Sequence, residues 1–246
     1  MLKYDIKKIL FLDIETVPGT ARLEDLEPSL ASLWTEKFAI LKKRLPEKYA
    51  EDCTAADAYE KSAGIYSEFG KIICISVGFI NDSDGVPELR IKSFFDEDES
   101  KILRDFADLV TRHFAASGYN LCGHNIKEFD IPYICRRMLI HGIQLPPPLQ
   151  LSGKKPWETP LLDTLEFWKF GDMKTAIPLK LLTAILGVAT PKDDIDGSQV
   201  ADVFYKEKNL ERIITYCQKD VVATVQVFLK LNGLRCIEEK HIVFPD

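Results

Sequence analysis

The chain has 246 residues, 46% hydrophobic and 28% charged, with a formal net charge of −6. That length and apolar content suffice for one large core, and no continuous apolar run reaches the roughly 20 residues a membrane-spanning helix needs. The acidic balance argues against a surface that coats duplex nucleic acid with massed Lys and Arg, and six scattered cysteines without a Cys-x-x-Cys pair argue against a disulfide framework or a zinc site.

From the amino terminus, Met1 to Lys8 carries charges throughout and no apolar signal segment, so the expected location is the cytoplasm. Lys8 to Asp13 is a short apolar run ending in acid, the pattern of a buried strand. Residues 20–63 are polar, with Leu30, Leu33, Trp34, Phe38, Leu41 and Leu45 at three- and four-residue steps, which predicts a helical insertion; too few large apolar residues remain in 46–63 for a second core. Lys71 to Ile80 and Leu89 to Phe94, separated by Asn81-Asp82-Ser83-Asp84-Gly85, predict a β-hairpin. Helical spacing follows over 97–116, then a strand at 119–122, then a helix over 130–141 with Pro132 in its first turn, where proline is tolerated. A proline-rich connector from Leu145 opens a loop to Pro160, and helices are expected at about 164–170, 178–187, 198–206 and 209–232. This order predicts a single α/β domain over 1–246, with a mixed sheet and helices on both faces.

Three short stretches carry acid that such a fold does not need. Asp13 and Glu15 are two apart on a strand, so both carboxylates leave one face, where adjacent anions repel unless a cation lies between them. Tyr216 and Asp220 are four apart on the last long helix and border its apolar stripe of Leu210, Ile213, Cys217, Val221, Val225 and Phe228. Asp130 follows Phe129 at the start of its helix, after the strand end Gly123-His124-Asn125, as a cap or as a ligand. Each piece alone also fits a solvated strand end, an amphipathic border or a cap. Together they supply four carboxylates and a phenol, the inventory for holding two divalent cations over a phosphodiester bond; such hard oxygen donors select Mg²⁺ or Mn²⁺ over zinc.

Phe11-Leu12-Asp13-Ile14-Glu15-Thr16, the Phe129-Asp130 helix start and Tyr216-Cys217-Gln218-Lys219-Asp220, in this order, resemble the DEDD superfamily of 3′–5′ exonucleases with a ribonuclease H-like fold. The Tyr-x-x-x-Asp form marks the tyrosine subclass; Thr215 stands where the histidine subclass has its His. Ser67 through Gly78 and Asp196 through Val200 are similar to segments of predicted exonucleases related to the proofreading domain of family-B DNA polymerases. The likeness covers roughly 8–17 and 65–232 and leaves the arm at 20–63 unmatched.

The resemblance implies that Asp13 bridges two ions, that Glu15 and Asp220 complete the one holding the attacking water, and that Asp130 reaches the other through water. It implies that Tyr216 orients the nucleophile; an ordinary tyrosine pKa of about 10 favours positioning over base catalysis. It further implies substrate contacts near Thr16, Asn125 and Phe129, although Phe129 suits the core equally well. The expected substrates are nucleic-acid 3′ ends, with single-stranded DNA favoured and RNA open, and the expected partners include no membrane. With no polymerase segment in the chain, the resemblance implies a stand-alone enzyme. The alternatives are a catalytically silent nucleic-acid-binding or polymerase-associated module and an RNA-trimming exoribonuclease. Elsewhere, Asp163 to Glu166 reads as a capping pair and His124 as a structural hydrogen bond. Arg136-Arg137 reads as a solvated face or a phosphate contact, Trp157 as a stacking or loop-packing residue, and Asp194 to Gly197 as a plain turn.

Overall fold

In the computed structural model the described residues are 4–82, 85–172, 176–189 and 195–245. Ser83 and Asp84 of the hairpin turn and Asp194 of the later turn fall outside them. β1 (Ile9–Pro18) pairs antiparallel with β2 (Gly70–Asn81), and β2 pairs antiparallel with β3 (Glu88–Phe95). β4 (Asn120–Gly123) runs parallel to β1, β5 (Leu161–Asp163) parallel to β4, and β6 (Ile242–Val243) parallel to β3. The sheet order is β5-β4-β1-β2-β3-β6. This is the mixed sheet that the pattern predicts. β5 and β6 go unannounced in the sequence because runs of three and two residues show no periodicity.

Alternation along β1 divides the core. Leu10, Leu12 and Ile14 pack with residues of α3 (Glu99–His113) and α4 (Asp130–Ile140), including Phe106, Ile131 and Ile134. Ile9 and Phe11 turn the other way, against Val221, Val225 and Phe228 of α5 (Leu210–Leu231), which crosses the opposite face. Gly78 permits this crossing: a Cβ there would stand 2.9 Å from Val221 Cγ1 and 2.8 Å from Ile91 Cδ1. The apolar run that announces β1 ends at Asp13, but the strand does not. The strand continues to Pro18 because β2 supplies backbone partners as far as Gly70, with a bulge at Ile73. Asp13 and Glu15 therefore sit inside a paired strand, on the α5 face.

The arm contains α1 (Pro28–Arg44) and α2 (Ala55–Ser62). It is helical as expected, yet it does hold a small core of its own. Trp34, Phe38, Tyr49, Tyr59 and Phe69 pack ring against ring, and the Trp34 indole donates to the Ala55 carbonyl at 2.8 Å. The few large apolar residues of 46–63, Tyr49 and Tyr59, suffice because Trp34 and Phe38 of α1 and Phe69 beyond the arm complete the cluster. Gly64, at the arm's end, packs against Val17 at the end of β1.

Candidate active site

Two long-range features converge on the α5 face of β1. The strand presents Asp13 half-buried and Glu15 buried, and the α5 stripe of Ile213, Cys217 and Val221 docks onto that face. Single ligand atoms of Asp13, Glu15 and Cys217 lie within 4.8 Å of one another. The Cys217 thiol donates to Asp13 at 3.4 Å, joining residues 204 apart in sequence. Helical spacing puts Tyr216 one residue before Cys217 and Asp220 three after it, so both flank the docked stripe. They line one wall of a cleft of about 250 Å³, shared with Leu179, Lys180, Thr183 and Ile195. A roomier cavity of about 750 Å³ lies elsewhere, between the arm and Gly197-Ser198, and contains none of these acids.

Asp130 approaches from the other direction. It is the first residue of α4 and is buried; Phe129, not Asp130, holds the cap position, and the Asp130 carboxyl takes hydrogen bonds from its own amide and that of Ile14 on β1. Asp163, at the end of β5, anchors the loop before it. Its carboxylate accepts from the amides of Asn125 at 2.9 Å, Lys127 at 3.2 Å and Leu165 at 2.9 Å. Asp163 is thus a helix cap, as read, and also the tie that holds the Asp130 loop; the other half of the expected pair, Glu166, reaches Lys127 instead.

The electrostatics join these acids into one group. Burial, followed by the charges of Asp220, Glu15 and Asp130, pushes Asp13 well above the usual carboxylate range. Burial and then Asp220 do the same to Glu15. Asp130 is pushed up to about 7 by burial, with Asp163 and Asp220 adding to it against the two amide hydrogen bonds. The Tyr216 phenol is raised by burial and by Asp220, Glu15 and Asp13, and its hydroxyl is bonded to Asp220. Burial also raises Cys217, so its sulfur stays a thiol and the anionic donors of the group are all oxygen. Carboxylates so placed, Glu15 and Asp130 buried and Asp13 and Asp220 half-buried, suit hard divalent cations, which would remove their mutual repulsion.

The other anticipated residues have mixed placements. Thr16 is half-buried and bonded to the Tyr133 phenol. Asn125 has φ 64°, a left-handed conformation that Asn tolerates better than most residues. Phe129 packs against the core with its ring 5.6 Å from Tyr133. His124 bridges Thr164 and the Ile177 carbonyl, the structural role expected of it. Trp157 is 77% exposed and does not pack its loop down. Arg137 corrects the reading of a solvated or phosphate-touching pair: its guanidinium binds buried Glu99 at 2.9 Å and the Ser67 carbonyl at 2.9 Å. The apolar periodicity of α5 gives Cys217 only as core stripe; its place directly after Tyr216 is the signal that it lies near the site.

The sheet, its flanking helices and the convergence of acids define a ribonuclease H-like α/β protein. Residues 65–240 match a family described as predicted 3′–5′ exonucleases related to the exonuclease domain of PolB, and the chain belongs to that family. β1, with Asp13 and Glu15, and the arm lie outside the matched span. Among solved structures, the family B DNA polymerase from the hyperthermophilic archaeon Pyrobaculum calidifontis is similar in fold, with a TM-score of 0.52 and 18% identity. That similarity covers 88% of this chain and 23% of the polymerase. No curated protein matches the chain. Among the described residues, no helix is long and apolar enough to cross a membrane.

Proposed function

We propose that this protein is a metal-dependent 3′–5′ exonuclease that removes nucleoside monophosphates from the 3′ end of single-stranded or frayed nucleic acid, with DNA favoured. What carries the reading is the approach of Asp13 and Glu15 on β1, Asp130 at the start of α4 and Asp220 on α5, near enough for the charges of neighbouring acids to raise the pKa of Asp13, Glu15 and Asp130. Those four side chains would hold two divalent cations, Mg²⁺ or Mn²⁺. When bound, such cations lower the pKa of a coordinated water and neutralise charge on the phosphate.

The chain's own groups divide the remaining work. Asp13 and Glu15, on one strand face, would hold the cations on the side of the sheet that α5 crosses. Asp220 accepts the Tyr216 hydroxyl, and the phenol, held protonated well above neutral pH, positions the attacking water by hydrogen bonding and does not remove its proton. Asp130, anchored on the Ile14 amide, closes the site from the α4 side. Thr16, Asn125 and Phe129 are the proposed contacts for the terminal nucleotide.

A 5′-labelled single-stranded oligonucleotide incubated with Mg²⁺ or Mn²⁺ should give a ladder that shortens from the 3′ end. Chelator and Asp13→Asn should each stop it. DNA and RNA run side by side decide the sugar preference. Binding without shortening in every metal tried would replace this reading with the silent-module alternative.

A further inference from the structure

Opposite the acids of β1, the alternation of β2 breaks. Ile72 and Ile75 pack into the core on the α3 and α4 side, while Ile73 packs with Val17 and Ile213 on the α5 side. Cys74 faces Glu15 across the ladder and so shares its face, which puts two consecutive residues, Ile73 and Cys74, on the α5 side. The bulge does this: Glu15 pairs with Cys74, Thr16 pairs with Ile72, and Ile73 is the extra residue. Without it, strict alternation from Cys74 would turn Ile72 out of its core and Ile73 into it. A bulge interrupts the ladder, and the Ile72 amide beside it donates to Glu99 Oε1 at 2.7 Å. Glu99 is the first residue of α3 and is 5% exposed.

The same carboxylate holds α4. Arg137 Nε donates to Glu99 Oε1 at 2.9 Å and Arg137 Nη2 donates to Oε2, while His141 Nε2 lies 2.7 Å from Oε2. Arg137 Nη1 donates to the Ser67 carbonyl at 2.9 Å. Asp130, Tyr133 and Arg137 follow one another at three- and four-residue steps, so they lie along one face of α4. Each is tied down: Asp130 takes the Ile14 amide, Tyr133 donates to the Gly64 carbonyl at 2.8 Å, and Arg137 reaches Glu99. We propose that Glu99 is a positioning residue for the acid group, fixing the bulge beside Glu15 and, with the same carboxylate, the setting of α4 that brings Asp130 to the Ile14 amide. It works from the face of the sheet opposite α5. Its charge state matters because every one of these bonds ends on an acceptor oxygen. In Glu99→Gln the amide nitrogen faces donors, either at Ile72 or at Arg137 and His141, so one anchor is lost whichever way the amide turns.

This inference rests on reading the four acids as cation ligands, and its test keeps the two apart. In protein labelled at its isoleucine amides for NMR, the Ile72 resonance reports the bulge and the Ile14 resonance reports the seat of Asp130. Mn²⁺ calorimetry, with kcat and KM on an oligonucleotide, reports the site. Glu99→Gln should move both resonances, weaken Mn²⁺ binding and lower kcat by about tenfold each, the usual scale for losing a partner that orients metal ligands, with KM nearly unchanged. Trp34→Ala, which damages the arm core, should lower the melting temperature yet leave the Ile14 resonance and the Mn²⁺ affinity in place. Should Glu99→Gln not fold, Arg137→Lys, which keeps the charge and loses the fork, should still move the Ile14 resonance and weaken Mn²⁺ binding. An unmoved Ile14 resonance with full Mn²⁺ affinity in the folded variant would overturn the positioning role and leave Glu99 a local cap of the bulge. Equal loss of Mn²⁺ affinity in Trp34→Ala would overturn it as general destabilisation. Wild-type protein with the Glu99-dependent resonances and Mn²⁺ binding but no cleavage would instead overturn the exonuclease reading and leave the positioning role standing.

Discussion

Within the arm, Trp34, Phe38, Tyr49 and Tyr59 bury aromatic rings edge to face; between β1 and α5, comparable burial encloses Glu15, Cys217 and much of Asp13. The first region gains from leaving water. The second loses by it, since burial and mutual repulsion hold its carboxyls far from their ordinary ionisation. Stability and chemistry are thus placed in different parts of one chain, and variants in the two should respond oppositely to divalent cations.

The largest expected effect is at the acids. Asp13→Asn should lower cleavage of labelled oligonucleotide by at least about a hundredfold. In chelator the same change should raise the melting temperature, by about 2–4 °C for each kcal/mol of repulsion relieved. A melting temperature that falls in chelator would contradict the contrast. Next, Trp34→Ala should cost about 3–5 kcal/mol in denaturant unfolding, while cleavage per folded molecule is kept. Loss of cleavage without loss of stability there would make the arm part of the site. Gly78→Ala should be milder, about 1–3 kcal/mol, because the added methyl meets Val221 and Ile91. It should also weaken Mn²⁺ binding, which Trp34→Ala should not.

A further effect concerns pH. Asp130 has its pKa raised to about 7, so between about pH 4 and 7 the folded chain binds more protons than the unfolded one. The stabilisation from that proton is complete below the unfolded pKa and lost as pH rises through the folded one. Metal-free protein should therefore melt at progressively lower temperature from pH 4 to 7, and saturating Mg²⁺ should flatten the slope. An upward slope in chelator would place the burden on other groups.

Much of this was legible residue by residue. β1, the hairpin, α3, α4 and α5 announce themselves by period, and Pro132 and the Tyr216/Asp220 pair fall in their predicted helices. What escaped was non-local or too short to carry a period. β5 is three residues long, yet it ends in the Asp163 that ties down the Asp130 loop. Arg137 reads as surface until buried Glu99, also holding the Ile72 amide at 2.7 Å, is set beside it. Cys74, Ser76 and Ser93 look like small filler on two strands; only the antiparallel register lines them up.

Taken alone, the sequence determined which acids exist and which face of its own strand or helix each leaves, because those periods are local properties of the backbone. Tertiary structure decided that β1 runs on past its acids, that α5 crosses it at Cys217, and that Glu15 and Asp130 are buried while Asp13 and Asp220 stay half-buried beside them. Those outcomes depend on packing between segments 204 residues apart, and neither depth of burial nor the charge one group feels from another is written in any single segment.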